Sequence, residues 1–389
     1  MAETFEIEKL VYGGSGLARA DGRVFLTPLV LPGELVQAEP VDKLHMRLVS
    51  VERAAEERVT APCPYFGTCG GCHYQHAPYA YQLQQKVAIL REVLQRVGKF
   101  EPPTDIEVIH GHEWNYRNRV QLHIEDGQIG YRRFGSRQLC AITHCPISSP
   151  RLNEALGALL AMTKERRFPA FVNTIELFSN ELDVQVNVVE SSRPVAKHFF
   201  DWCAEQIPGF VPGALQYGEF RVSGKSFFQV NRFLVEPLVQ AAIGDATGDQ
   251  AADLYAGVGL FTLPLRRRFR RVTAVETGNA AVSDLQWNAQ RAGIDLDVCK
   301  TPVDEYLSTL EATPEFILAD PPRAGLGKAA VRHLLHLRPP RLHIVACDPA
   351  TLARDLCGLL AGGYRLQRLF LVDLFPQTYH LETIAHLTL

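Results

Sequence analysis

The sequence predicts a multidomain α/β protein: a small N-terminal β-barrel, an α+β middle region and a C-terminal Rossmann-type domain of seven strands. Three observations carry this. After Phe227 apolar strands and helical segments alternate regularly, the pattern of a parallel sheet covered by helices. Residues 4–55 hold short β-rich runs punctuated by glycine turns. The length, 389 residues with 47% hydrophobic content, suits two or three packed domains rather than a disordered chain.

Taken in order, Phe5–Val11, Arg23–Leu26, Glu34–Val41 and Leu44–Val51 read as barrel strands. They are separated by turn signals at Gly13-Gly14-Ser15-Gly16, Asp21-Gly22 and Pro32-Gly33. A Pro/Cys/Gly-rich stretch, Ala61–Cys72, leads into a helix over Tyr79–Val97, where Leu83, Val87, Leu90 and Leu94 fall at helical spacing. From Ile106 to about Val222 the pattern is mixed, with strands at Arg119–Ile124 and Leu182–Val189 and a helix over Pro150–Arg166. The next strands fall at Ala251–Tyr255, Arg271–Glu276, Asp295–Lys300, Phe316–Asp320 and Leu342–Cys347. Arg365–Leu374 and Leu381–Thr388 are so closely spaced that they predict an antiparallel hairpin. The domain boundaries follow: 1–58, 59–225 and 226–389, with helix 78–98 able to pack on the last.

Charge narrows the function. The net charge of −3, and six Lys/Arg against eight Asp/Glu within residues 1–55, show no global nucleic-acid signature, so any such contact is local. The local candidate is residues 114–138, where five arginines face two acids and Trp114, Tyr116, Tyr131 and Phe134 are interleaved for stacking; a strand pair with solvated charges explains the segment equally well. The run Arg266–Arg271 reads instead as a solvated helix end away from the ligand crevice. MAETFEIEKL has neither a basic nor an apolar targeting region, and no long uncharged apolar run occurs, so a cytoplasmic location without a membrane anchor is expected. Nothing marks an obligate protein partner.

Asp253-Leu254-Tyr255-Ala256-Gly257-Val258-Gly259 places a Gly-x-Gly turn directly after a strand, where a ligand can approach the backbone. That pattern alone is weak. Glu276 ends the next strand, where a carboxylate can accept ribose hydroxyls, and Asp320 ends the fourth in Asp320-Pro321-Pro322-Arg323. Together they point to S-adenosylmethionine rather than to loop glycines and capping acids. Arg323 stands where amino-group methyltransferases carry a base-stacking aromatic residue, which favours a carbon target.

Nine cysteines, an odd number, with Cys63-x5-Cys69-x2-Cys72 clustered in one loop, fit thiolate ligands in a reducing compartment better than disulfides. Cys145 or Cys140 would be the fourth ligand. Structural zinc and an iron–sulfur cluster are both open, and three ligands in one loop plus one distant ligand favours the cluster. The Cys-x3-Cys-x2-Cys pattern of radical enzymes is absent. Cys347, at the end of an apolar strand downstream of the cofactor motif, suggests covalent catalysis, although a lone cysteine is more often an inert buried one.

On these motifs the chain resembles the RNA (uracil-C5) methyltransferase family, the TrmA and RumA type, over essentially its whole length. The resemblance implies that residues 1–55 form a TRAM domain, an OB-like RNA-binding barrel, and that Cys63, Cys69, Cys72 and Cys145 hold a [4Fe–4S] cluster. It places Gln229 in the Phe228-Gln229-Val230-Asn231 motif, Tyr255, Gly257, Glu276 and Asp320 on the S-adenosylmethionine. Cys347 falls on the nucleophile and Glu382 on the base that removes the C5 proton. Ala346-Cys347-Asp348-Pro349 stands where the family often has Ser-Cys-Asn-Pro. The implied substrate is RNA: 23S ribosomal RNA first, the tRNA T-loop as the alternative. An RNA-binding protein with an inactive catalytic domain is the reading from another class.

Overall fold

The computed structural model describes residues 2–389, so Met1 lies outside the described residues. The C-terminal sheet has eight strands in the order Asp297–Cys299, Phe269–Val275, Gly248–Leu254, Phe316–Ala319, Arg341–Ala346, Glu382–Thr388, Arg365–Val372, Glu107–Ile109. The first five are mutually parallel, and Glu382–Thr388 inserts antiparallel between the last of them and Arg365–Val372. The seven expected strands are present, hairpin included. The eighth, Glu107–Ile109, comes from far upstream and pairs parallel to Arg365–Val372. Three residues, two of them only partly buried, carry too little periodicity to announce a strand.

Helix Tyr79–Gly98 joins the same body. Its Ile89, Leu90 and Leu94 are buried in one core with Leu352, Ala353 and Leu356 of helix Pro349–Ala361 and with the sheet residues Ile344 and Leu371. Both faces of the parallel strands are covered, which is why they read as continuous apolar runs such as Phe316–Ala319, buried throughout.

The middle sheet has six strands, ordered Leu139–Ala141, Gln128–Arg132, Arg119–Glu125, Val172–Ser179, Val184–Ser191, Phe210–Val211, and all pairs are antiparallel except the last. Helices Pro150–Met162 and Lys197–Gln206 cover it through Leu156, Leu159, Phe199 and Trp202. The first is capped by Ser149, whose side chain accepts from the Leu152 N–H, and it has proline in its first turn. It ends at Met162 rather than at the expected Arg166. Strand Leu182–Val189 is found as Val184–Ser191.

At the N-terminus six strands form two three-stranded antiparallel sheets, Glu3–Glu6, Leu35–Pro40, Met46–Arg53 and Lys9–Val11, Ser15–Ala20, Arg23–Pro28. They enclose Phe5, Ile7, Ala18, Phe25, Val30, Val36 and Met46, with the Phe5 and Phe25 rings stacked at 5.1 Å. The expected single strand Phe5–Val11 is two. Ile7 accepts from the Gly33 N–H and donates to the Glu34 carbonyl in one sheet, whereas Glu8 donates to Leu17 in the other, so the chain changes sheets there. Strand Ser15–Ala20 begins inside the presumed glycine turn. Gly16 is required there by packing, because a Cβ would lie 2.5 Å from Val30 and 2.7 Å from Ile7.

No helix among the described residues is long and apolar enough to cross a membrane.

Candidate active site

Parallel strands deliver their C-terminal residues to one edge, and the antiparallel strand Glu382–Thr388 delivers its first residue to that same edge. Asp320 follows Ala319 and Cys347 follows Ala346, while Ala346 pairs with Thr383. The Thr383 hydroxyl donates to the Ala346 carbonyl at 3.0 Å, holding the two strands in register next to Cys347 and Glu382. Asp348 caps the helix that follows, its Oδ1 accepting from the N–H groups of Ala350 and Thr351, both at 2.9 Å.

These groups share one electrostatic environment. Burial raises the Glu382 carboxyl well above its ordinary value, and the Asp320 charge adds to that. Burial also lifts Asp320 to about 7. The Cys347 thiol is pushed up to about 11 by burial and by Glu382 and Asp320, with Arg323 acting in the opposite direction.

Beside them lies the glycine turn. Tyr255 has φ 63° and Gly257 φ 55°, a left-handed path that turns the chain sharply off strand Gly248–Leu254. Glu276 braces it: its Oε2 accepts from the Gly257 N–H at 2.9 Å and its Oε1 from Thr277 and Gly278, each at 2.7 Å. Asp253, fully buried, accepts from the Thr262 hydroxyl. Burial lifts its carboxyl to about 7, with Asp320 and Glu276 contributing and the Thr262 bond opposing. Gln229 is buried nearby in sequence to Asn231, whose Nδ2 donates to the Leu374 carbonyl at 3.1 Å. The motif's asparagine thus ties this segment to the loop that precedes Glu382.

That loop, 373–381, is anchored by residues to which the sequence patterns gave no such role. Lys86 is fully buried on helix Tyr79–Gly98 and donates to Asp373 Oδ1 at 2.6 Å and to the Phe375 carbonyl at 3.0 Å. The Tyr79 hydroxyl donates to Asp373 Oδ2 at 2.8 Å. Gln82 and Gln377 exchange hydrogen bonds at 2.9 and 3.1 Å, and the Tyr116 hydroxyl donates to the Pro376 carbonyl at 3.0 Å. Gln82 and Lys86, polar residues on the helix face that also carries the buried Ile89, Leu90 and Leu94, were the available signal. Lys86→Met leaves Asp373 buried without its cation, so a loss of about 3–5 kcal/mol is expected, measurable by denaturant titration.

Tyr116 also corrects the stacking reading of residues 114–138. Its ring is completely buried. Arg119 of the same segment is buried in an ion pair with Glu176 at 2.6 Å. Arg117 and Tyr131 do line a cavity. In the run 266–271, Arg267 pairs with Glu219 and Arg270 with Asp249 at the far end of the sheet.

A cavity of about 1660 Å³ has none of Cys347, Asp320 or Glu382 in its lining. Cys63, Cys69, Cys72 and Cys145 all line it, together with Arg117, Arg221 and Lys225. Cys140 does not; it is packed in the core of the middle sheet. Burial lifts Cys69 and Cys72 to about 12, and neighbouring thiols, Cys140 foremost at Cys69, add to the shift. The Gly71 N–H donates to Cys69 Sγ at 3.4 Å, and the Phe66 N–H donates to the Cys63 carbonyl at 3.1 Å. Asn153 fixes the Cys145 backbone by accepting from its N–H at 2.8 Å and donating to its carbonyl at 3.0 Å. Among the described residues no three His, Cys, Asp or Glu side chains are drawn together tightly enough to hold a single metal ion.

With this geometry in place, comparison with known proteins is informative. Residues 177–388 match the tRNA (uracil-5-)-methyltransferase family. An uncharacterized RNA methyltransferase of Aquifex aeolicus is 31% identical, over 97% of this chain and 96% of its own length. A Pseudomonas fluorescens protein named 23S rRNA (uracil(1939)-C(5))-methyltransferase is also 31% identical, over 97% of this chain and 92% of its own. The crystal structure of the Pyrococcus abyssi tRNA (uracil-54, C5)-methyltransferase, solved with S-adenosyl-L-homocysteine, superimposes with a TM-score of 0.78. It covers 99% of this chain and all of the other, at 24% identity, and so shares the fold. The match over more than half of the chain, and near-complete alignment with relatives above 30% identity, show that this chain belongs to the RNA (uracil-5-)-methyltransferase family.

Proposed function

We propose that the enzyme makes 5-methyluridine in 23S ribosomal RNA, with Cys347 as nucleophile and Glu382 as base. The observation that carries this reading is the pairing of Ala346 with Thr383, which brings a thiol and a buried carboxyl group to one point of the sheet edge. Uracil C5 is too weak a carbon nucleophile to attack a methylsulfonium unaided. Addition of Cys347 Sγ to C6 makes C5 electron-rich, and covalent catalysis splits one hard step into two easier ones. S-adenosylmethionine, when bound, supplies the electrophilic methyl group. Glu382 then takes the C5 proton, the C6–S bond breaks, and the sulfur leaves with its electron pair as the ring regains its conjugation. The target base must leave its stack to reach this edge, at about a few kcal/mol.

Gln229, Tyr255, Gly257, Glu276 and Asp320 would hold S-adenosylmethionine. Glu276→Ala and Asp320→Ala are expected to weaken cofactor affinity at least about tenfold, or 1.4 kcal/mol, while RNA affinity stays unchanged. Calorimetry with S-adenosylmethionine and gel shifts with RNA separate the two, and unchanged cofactor binding in both variants would remove these residues from the site.

Cys63, Cys69, Cys72 and Cys145 fit a [4Fe–4S] cluster. They line one cavity, and the Gly71 N–H donates to the Cys69 sulfur. A cubane cluster binds one thiolate at each of its four iron corners, the number of cysteines this cavity offers. The N-terminal pair of sheets, 1–58, would act as the RNA-binding barrel, with 59–225 as the cluster-bearing region and 226–389 as the methyltransferase domain. The Pseudomonas fluorescens relative named for 23S rRNA, at 31% identity, favours ribosomal RNA over tRNA. Mapping 5-methyluridine in both RNAs from a deletion strain tests this, since loss from tRNA alone would reassign the substrate.

A further inference from the structure

We propose that Tyr12, in the N-terminal sheets, is a positioning residue for the nucleophile: by holding Asp348 it governs how readily Cys347 adds to the base. This rests on the reading of Cys347 as nucleophile. The Tyr12 hydroxyl donates to Asp348 Oδ2 at 3.2 Å, across 336 residues of sequence. Asp348 Oδ1 is already committed to the helix cap, so Tyr12 is the side chain that serves the other oxygen. The carboxylate lies one residue from the reacting sulfur.

The contact belongs to a built joint rather than a chance touch. Leu10, two residues earlier, is buried in the core shared with Ile344 and Leu371 of the C-terminal sheet, and Lys9 pairs with Glu92 of helix Tyr79–Gly98 at 2.7 Å. After Tyr12 the chain turns at Gly13 and Gly14, with φ 106° and 87°. A Cβ on Gly14 would lie 3.0 Å from Tyr379 and 3.1 Å from His73, so the turn sits directly on the loop preceding Glu382. The Tyr12 and Tyr379 rings meet edge to face at 5.8 Å. One N-terminal turn therefore touches both the segment after the nucleophile and the loop before the base.

The charges around Cys347 explain what the hydroxyl does. Glu382 and Asp320 oppose formation of the thiolate and Arg323 favours it. Asp348 is the next residue after Cys347, and a donated O–H disperses the charge of its carboxylate. Burial and the Asp348 charge keep the Tyr12 proton in place far above neutral pH, so it remains a donor throughout. Removing the hydroxyl alone makes the thiolate harder to form.

The test uses the full-length protein with RNA carrying 5-fluorouridine at the target. Fluorine cannot leave C5 as a proton does, so the covalent complex accumulates after methyl transfer. With saturating S-adenosylmethionine, Tyr12→Phe should form this adduct about tenfold more slowly at neutral pH. Its dissociation constants for RNA and cofactor should match wild type, and the deficit should shrink as pH rises and the thiol ionises. In an Asp348→Ala background Tyr12→Phe should cost nothing further, since both act through one contact. An unchanged rate, a deficit constant across pH, or a loss confined to RNA affinity overturns the proposal. Absence of any adduct with wild type overturns instead the nucleophile assignment on which it rests.

Discussion

Cys347→Ala should bind RNA and S-adenosylmethionine normally yet form neither adduct nor product, whereas Glu382→Gln should accumulate the adduct. The two residues act on opposite sides of methyl transfer, so their losses differ in kind. Without the sulfur, C5 is never activated, and a fall on the order of 10⁶ in rate is the scale expected for losing a covalent nucleophile. Without the carboxylate, addition and methyl transfer proceed but the C5 proton stays, and turnover falls by roughly 10²–10⁴. Denaturing gels with labelled RNA read both. A trapped band with Cys347→Ala would sink the nucleophile assignment, and free product at the normal rate from Glu382→Gln would take Glu382 out of the mechanism. Glutamine suits the buried position, because it matches the size of Glu382 and brings no charge there.

Protein purified without oxygen should be brown and hold about four iron atoms per chain. Cys63→Ser, Cys69→Ser, Cys72→Ser and Cys145→Ser should each lose most of that iron, whereas Cys140→Ser, altered within the core of the middle sheet, should keep it. A cluster would link the loop around Cys63–Cys72 to Cys145. A cross-link closing so long a loop is worth about 4 kcal/mol of chain entropy, so cluster loss should lower the melting temperature by roughly 10 °C. Elemental analysis giving zinc without iron or sulfide would overturn the cluster, and full iron content in Cys145→Ser would move the fourth ligand elsewhere.

The joint at Tyr12 and the clasp around residues 373–381 give these expectations a common physical setting. Lys86, Tyr79, Gln82, Tyr116 and Asn231 all bind that loop from distant parts of the chain. A base that must meet one hydrogen of one bound ring needs such restraint, because small displacements of a catalytic group are costly. The clasp also connects the region bearing the cysteines to the reacting edge: His73 and Tyr74, immediately after Cys72, donate backbone N–H groups to the Gln377 carbonyl at 2.8 and 3.0 Å. Losing the order of the cysteine loop would be felt at Glu382 through this pair of bonds.

The sequence by itself determined the alternation that builds the C-terminal sheet, the turn at Gly257, and the hairpin that brings Glu382 back beside strand Arg341–Ala346. Those are local signals: apolar runs of strand length, glycines after a strand, and two β-runs too close for a crossover. The tertiary structure decided the rest. It set Glu107–Ile109 at the edge of a sheet whose other strands begin much later, buried Tyr116 where interleaved aromatics had suggested a stacking surface, and broke Phe5–Val11 at the corner where it changes sheets. It also chose Lys86 and Tyr12 as partners for Asp373 and Asp348. The physical reason is one of range: periodicity tells which face of a segment is apolar, but the partner of a buried charge or an unpaired strand edge is set by packing between segments hundreds of residues apart.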